Sequence, residues 1–591
     1  MRKTFLIAAL LSSVSHFAFA DTVKYSTPPN ASIDITQDAK SCGTMNRIQM
    51  PIITWGADIM AIYANGNGKV TDHGSLFANE GLNFELYRQD NFIKQAQSYL
   101  RCVSPFIRGT VGMLMSISDV TEKNENTRMI PVAQISWSNG GDAIIVKGNI
   151  KSTRDLKGKT VALQKYGPHM DYLLRILHDA GLTPNDVKLV WVDDLTDSPN
   201  SPVNAFYQNN VDAAMVISPD AMTLSSGGKI GTGSEGSVKD AHILMTTATV
   251  NRVISDVIAV RQDFFNANRE YVQKFVHALM LSNDKVQSIL KNQNDPEFVN
   301  TATAGAMLLL GASDSTNLND FLGMYHDAQM IGLRDNIKFF ADEKYPRNFV
   351  SISSEIQDSY VSFGIINQKH DIISAQLDYN LLKVGIKNMD GVQIPSFAAA
   401  TVAKVMSNSN REFQFEILFS EDQTSFPADQ YGKSFDRVIE LISTYGGAVM
   451  TIEGHTDPTN YMVTNRRIGI MTNKLLTPAE QKVLDDQKLL FRSLPLASRN
   501  LSLSRALEVR NAIIRYASTK GVKLEEGQFV TIGRGIENPA TGNCGTMPCF
   551  PVNSKSEYDN WVTRDAPKNR RVVFGIAIIA AESSSAEDVF K

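Results

Sequence analysis

The stretch Thr160-Val161-Ala162-Leu163-Gln164-Lys165-Tyr166-Gly167-Pro168-His169-Met170 reads as a strand, a turn and a helix start in eleven residues. Four residues of β-branched and apolar character form a short strand, and a Gly-Pro pair then opens a helix. Proline suits the first helical turn, where no intrahelical N–H is needed. Met170, Leu173, Leu174 and Leu177 continue at the 3.6-residue spacing of a buried helix face. A strand leading through a tight turn into an amphipathic helix is the unit of an α/β protein. Outward from it, 49–54, 143–146, 187–192, 213–217 and 252–261 read as further strands and 269–281 as a long helix.

Composition agrees with a folded chain. The 591 residues are 43% hydrophobic and 20% charged, which excludes disordered and fibrous classes. The formal charge is −4, and no Lys/Arg block makes a basic stripe, so no nucleic-acid partner is expected. Arg2 and Lys3 precede an apolar run and the small-residue pattern Ala18-Phe19-Ala20, which reads as a secretory signal over 1–20. Its removal takes the charge to −6, since two cations leave. No later run is long enough to span a membrane.

Export implies an oxidising compartment, so the four cysteines are expected as two disulfides, Cys42–Cys102 and Cys544–Cys549. Zinc would need four ligands at suitable spacing, and none are present, so no metal or cofactor is expected. Gly231 to Gly236 matches Gly-x-Gly-x-x-Gly, but the segment leads into a probable strand at 242–246 and not into a helix. It reads as a loop.

From 48 to 382 the chain resembles the periplasmic solute-binding proteins of ABC importers, in the branch of nitrate-, sulfonate- and thiamine-precursor-binding proteins. The residues that carry the likeness are Gly140-Gly141-Asp142-Ala143, Ile150-Lys151-Ser152 to Lys159-Thr160-Val161-Ala162, Gly181-Leu182 before Asp186-Val187, and Val211-Asp212-Ala213-Ala214 before Pro219-Asp220. The resemblance implies two α/β lobes over 21–382, the second near 140–248, joined by crossings at 135–139 and 248–254. A small polar solute would lie between them. Loop and helix-start residues suited to line such a cleft are Trp55, Asp58, Ser136, Asn139, Asp142, Gln164, Tyr166, His169 and Asp220. Each has a plainer role open to it, in the core, in a cap or in solvent. The charge of the solute is left open.

A Ser/Asn/Ala-rich stretch within 383–411 reads as a connector. Beyond it, 412–580 carries Gly454-His455-Thr456-Asp457, then Asn500-Leu501-Ser502-Leu503-Ser504-Arg505-Ala506, then Gly533-Arg534-Gly535 before Pro539, and Asn569-Arg570-Arg571-Val572; a tail follows at 581–591. In that order these motifs resemble the α+β OmpA-like peptidoglycan-binding domain. The resemblance implies that Asp457 and Arg505 clamp diaminopimelate of the wall's stem peptide, with Thr456, Asn500, Leu501, Ser502, Asn569 and Arg571 around them. A carboxylate beside a guanidinium matches a ligand that bears one ammonium and one carboxylate. Ser502 is expected to cap the helix that carries Arg505. One departure stands out: 42 residues separate Asp457 from Asn500, an insert that either projects beside the pocket or covers part of it.

The reading is a non-catalytic exported protein in the periplasm, at the cell wall, with the outer membrane left open. An inner-membrane ABC permease or a receptor is its expected partner. Two other classes compete: an enzyme acting on a small metabolite, with His169 the suspect, and a purely structural envelope protein.

Overall fold

The structure is a computed structural model. It describes residues 23–390 and 411–577, apart from 44, 197, 290–294, 312–317, 446–448, 523, 525–527, 545–546 and 549–553. The signal segment, most of the connector, Cys549 and the C-terminal tail lie outside the described residues.

The chain is a mixed α/β protein with three main sheets. Its strands are β1 (Ile48–Ile52), β2 (Phe84–Arg88), β3 (Phe106–Thr110), β4 (Met129–Ser138), β5 (Asp142–Val146), β6 (Thr160–Gln164), β7 (Lys188–Val192), β8 (Ala213–Ile217), β9 (His242–Thr246), β10 (Ser255–Arg261), β11 (Ala328–Met330), β12 (Arg411–Leu418), β13 (Val449–Gly454), β14 (Phe529–Gly533), a minimal hairpin of β15 (Asn543–Cys544) and β16 (Met547–Pro548), and β17 (Arg571–Ala577). The helices that frame the sites are α1 (Phe92–Leu100), α2 (Val111–Ser116), α3 (His169–Asp179), α4 (Arg269–Ile289), α5 (Phe349–Ser362), α6 (Gly432–Thr444), α7 (Thr459–Thr472) and α8 (Pro478–Thr519).

One lobe is built on the order β11-β4-β10-β3 with the parallel pair β1-β2, the other on β7-β6-β8-β5-β9. In the second lobe β6 pairs in parallel with β7 and β8, the crossover connection that a strand–helix–strand unit requires. Helix α3 makes the first crossover and buries Met170, Leu173, Leu174, Ile176 and Leu177. At about 1.5–3 kcal/mol per fully buried side chain, that stripe outweighs the helix's modest intrinsic propensity. The two lobes exchange chain where β4 runs into β5 and where 247–254 returns beside it; the Ser138 amide donates to the Ile254 carbonyl at 3.0 Å.

The N-terminal segment straps the lobes together. Ser26 bridges to Trp191 on the second lobe, whereas the Lys40 amide donates to Leu100 on the first. The Cys42–Cys102 disulfide holds the strap at its first-lobe end. The connector expected from 383 starts later: Ile386 and Met389 pack on the first-lobe core, and the Lys387 and Asn388 amides donate to the Asp284 carboxylate.

The C-terminal sheet has the order β12-β17-β13-β14, antiparallel except for β13-β14. It is backed by α6 and the second half of α8, whose Ala506, Val509, Ala512 and Ile513 are buried. Helix α6 rests on the second lobe through a buried ionic cluster. Arg175, only 1% exposed, reaches Asp179, Glu355 and Glu440, while Arg437 reaches Asp179 and Glu440. The end of α3 is therefore joined to the C-terminal domain and its start to the interlobe region. No described helix is long and apolar enough to cross a membrane.

Candidate functional site

A cavity of about 420 Å³ lies between the lobes. The first lobe supplies the start of α1, with Asn91, Phe92, Lys94 and Gln97; the second supplies Gln164, Lys165, Tyr166 and Asp193. Asp34 of the strap completes the wall. Asn91 caps α1 by accepting from the Lys94 amide at 3.0 Å, which fixes the helix start at the cavity edge. Tyr166 sits at φ +59°, a left-handed conformation rare for a bulky residue. It is held there by its hydroxyl, which donates to Asp34 at 2.6 Å.

Lys165 pairs with the same carboxylate at 2.8 Å. Burial pushes the Asp34 carboxyl up, but the bonds from Lys165 and Tyr166 outweigh it and leave Asp34 below its ordinary range. Burial and the Asp34 charge together push the Tyr166 hydroxyl up, so it stays a donor. The wall thus offers two ammonium groups, two carboxylates, three amides and aromatic surface. That combination suits a small polar molecule.

Of the nine residues expected in the cleft, Gln164 and Tyr166 line this cavity. Others fall in two buried networks that do not line it. In the first, the Trp55 indole donates to Ser136 at 2.9 Å, Ser136 donates to Asp256 at 2.8 Å, and Arg108 joins Asp256 to Asp58. Burial pushes Asp58 up to about 6 although Arg108 pulls the other way. In the second, His169 meets Asp142 at 2.7 Å, and Ser138 donates to the other Asp142 oxygen at 2.6 Å.

His169 is fully buried and not a solvated first-turn residue. The order is Ser–Asp–His, with the carboxylate in the middle, so the imidazole does not reach the hydroxyl as a catalytic base must. Pro168 is the cap of α3, one position before the first helical residue. The Asn139 amide donates to the Asp327 carbonyl. Asp220 stands apart and accepts from Thr196 at 3.0 Å.

Gly140 and Gly141 allow the lobes to touch. A β-carbon at Gly141 would lie 2.6 Å from the Trp55 ring, and one at Gly140, at φ +109°, would lie 3.2 Å from Asp327. Burial, with the Asp142 charge next in weight, raises Asp327 to about 7. Asp171, in the first turn of α3, is buried with no hydrogen-bond partner for its carboxyl oxygens among the described residues, and burial raises it to about 8.

The sequence reading missed Asp34, Asn91, Lys94, Lys165 and Asp193. Only Asn91 carried a local signal, as an Asn before a helical stripe.

In the C-terminal domain, Asp457 is bonded by the Thr459 amide at 2.9 Å and faces Arg570 at 3.6 Å. Arg505 does not pair with it directly. Its guanidinium donates to the carbonyls of Gln423, His455 and Ser420 and lies over the Phe419 ring. Burial, with the charge of Arg570 next in weight, lowers Arg505 to about 10. Arg570 is the residue the sequence reading passed over, although it lies inside the quoted motif.

The helix start expected at Ser502 needs correction. Ser502 caps nothing, because α8 runs unbroken from Pro478 to Thr519 and its capping residue is Thr477. Asn500, Leu501 and Ser502 are therefore mid-helix, with their amides committed to the helix and not free for an anion. Ser502 instead accepts from the Gly535 amide at 2.9 Å. Asn569 is buried and accepts from the Ala540 and Thr541 amides, and Arg571 donates to the Asn538 carbonyl and pairs with Glu416; both brace loops. Thr456 is buried, and its amide donates to Gly535. Cys549 lies outside the described residues, so the second disulfide is not described.

Residues 109–287 match the family described as NMT1/THI5 like. No curated protein matches the chain. Among solved structures, the periplasmic aliphatic sulphonate binding protein SsuA from Escherichia coli is similar at 16% identity and a TM-score of 0.40, over 56% of this chain and 96% of that one. The alkanesulfonate-binding protein SsuA from Xanthomonas axonopodis pv. citri, bound to MOPS, gives 14% and 0.38 over 56% and 98%. The desulfurization enzyme DSZB gives 12% and 0.34 over 57% and 99%.

Proposed function

We propose that the protein is an exported, non-catalytic binder of a small polar solute, held to the cell wall by its C-terminal domain. The observation that carries the first half is the interlobe cavity, walled by α1 on one side and by Gln164, Lys165 and Tyr166 on the other. A ligand touching both walls favours lobe closure by its differential contacts, as in hinge-type binding proteins. The family match over 109–287 supports the same class. A permease or receptor would read the closed form.

For the wall, Asp457 would take the ammonium of diaminopimelate and Arg570 its carboxylate, while Arg505 fixes the three carbonyls around them. The dense array of stem peptides makes up for weak single contacts. Thermal-shift measurements on the whole chain with a panel of small polar solutes, alkanesulfonates included, test the solute reading. A true ligand at a hundredfold its Kd adds about 2.7 kcal/mol of stability. Lys165→Ala should abolish that shift. A panel without any stabilising solute, or a shift that survives Lys165→Ala, contradicts the cavity as the site.

A further inference from the structure

The insert between Asp457 and Arg505 is unlike the rest of the surface. Helices α7 and the first part of α8 form an antiparallel hairpin, joined near its base by stacking of Tyr461 on Phe491 at 4.6 Å. Between 465 and 490 only Leu484 is buried, so the hairpin stands clear of the described body. Of 23 exposed large hydrophobic residues among those described, seven fall within 470–503. Leu475 at the turn is fully exposed, and Ile470, Val483, Leu489, Leu490 and Leu496 extend the apolar surface along the arm.

Charge separates the hairpin further. Residues 459–499 hold seven Lys/Arg against three Asp/Glu, a net of +4 in a chain whose total is −4. Lys474 and Lys482 flank the apolar turn; there Glu480, Asp485 and Asp486 balance Lys474, Lys482 and Lys488, so the surplus comes from Arg466, Arg467, Arg492 and Arg499 nearer the base.

We propose that hairpin 459–499 is a docking arm for an anionic lipid surface, a role beyond solute capture and wall tethering. Exposed aliphatic groups on an arm with an overall excess of lysine and arginine bind the interface of acidic bilayers through apolar burial and attraction together. A helical protein partner fits less well. Leu489, Leu496 and Leu503 recur every seven residues, but the second apolar position of such a seam is filled by Asp486, Ser493 and Asn500. Lipid accepts an irregular apolar surface that a coiled-coil partner would reject. An isolated exposed leucine is ordinary; a cluster on a cationic projection in an acidic chain is not.

The test is flotation of the full chain with vesicles of phosphatidylglycerol and phosphatidylethanolamine, beside neutral phosphatidylcholine vesicles. Wild type should float with the acidic vesicles, remain behind with the neutral ones, and be released by high salt. Leu475→Asp and the pair Lys474→Glu, Lys482→Glu should each lower partitioning about tenfold or more with an unchanged unfolding midpoint, since these side chains touch solvent. Asp457→Ala should float like wild type, which separates this arm from the wall pocket. Absence of flotation with acidic vesicles overturns the proposal, as does undiminished flotation of both arm variants. Self-association of wild type that Leu489→Asp abolishes, without vesicle binding, would assign the arm to a second copy and overturn it equally.

Discussion

Replacing Arg175 by Met probes the junction between the two lobes and the C-terminal domain. The side chain is 1% exposed, and its three nitrogens meet Asp179 at 2.7 Å, Glu355 at 2.9 Å and Glu440 at 2.9 Å. With Arg347 and Arg437 the cluster holds three guanidiniums and three carboxylates. Removing Arg175 leaves one negative charge uncompensated where water is largely excluded. Stripping one partner from a buried pair costs about 3–5 kcal/mol. Each carboxylate here keeps a second arginine, and Glu355 and Glu440 remain 32% and 39% exposed. The expected loss is therefore below that range, about 2–3 kcal/mol.

The loss should also depend on pH. Burial alone would raise Glu355, but Arg347 and Arg175 hold it down at about 2, and Arg175 heads the causes that push Asp179 lower still. A carboxyl depressed in the folded state stabilises fully above its unfolded value near 4.5 and ceases to do so as pH falls toward 2. Denaturant unfolding followed by circular dichroism should show the full deficit at pH 7 and a smaller one at pH 3. A deficit below about 0.5 kcal/mol at pH 7, or one that does not shrink in acid, would show that Arg175 does not hold these carboxylates ionised.

Further outcomes follow from other buried groups. Asp171 is raised to about 8, so the wild-type protein should lose stability as pH climbs from about 4 through 8, and Asp171→Asn should flatten that slope; equal slopes in both would contradict its burial as an acid. Reducing Cys42–Cys102 opens a loop of 60 residues, which should cost about 4 kcal/mol by chain entropy and speed hydrogen exchange in the strap near Asp34. Asp457→Ala and Arg570→Ala should each release the protein from purified sacculi, while Asn500→Ala should not; retention of the first two variants removes diaminopimelate recognition from the account.

How much of this was legible depends on distance along the chain. Strand 213–217 was read to the residue, and β6 and β7 to within one, because each is a short apolar run bounded by Gly, Pro or Asp signals. The helix through Asn500 was misread for a physical reason. A serine before an apolar stripe looks like a cap, but the capping box at Thr477 and Glu480 starts the helix 25 residues before Ser502, and Pro495 does not stop it. The cavity was half legible. Gln164 and Tyr166 sit at a strand–helix turn, where ligand contacts concentrate, whereas Asp34 comes from a segment with no periodicity at all. It reaches the site only because the strap is pinned at both ends. Likewise Arg570 and Asp457, 113 positions apart, are brought together by the pairing of β17 with β13, which no local pattern encodes.

Hydrogen–deuterium exchange of the full chain, with and without the solute that most raises its unfolding temperature, tests solute capture between the lobes most directly. Slower exchange should appear together in 92–97 and 164–166, the two facing walls, with the strap around Asp34 following. Protection confined to one lobe, or located away from both walls, would contradict it.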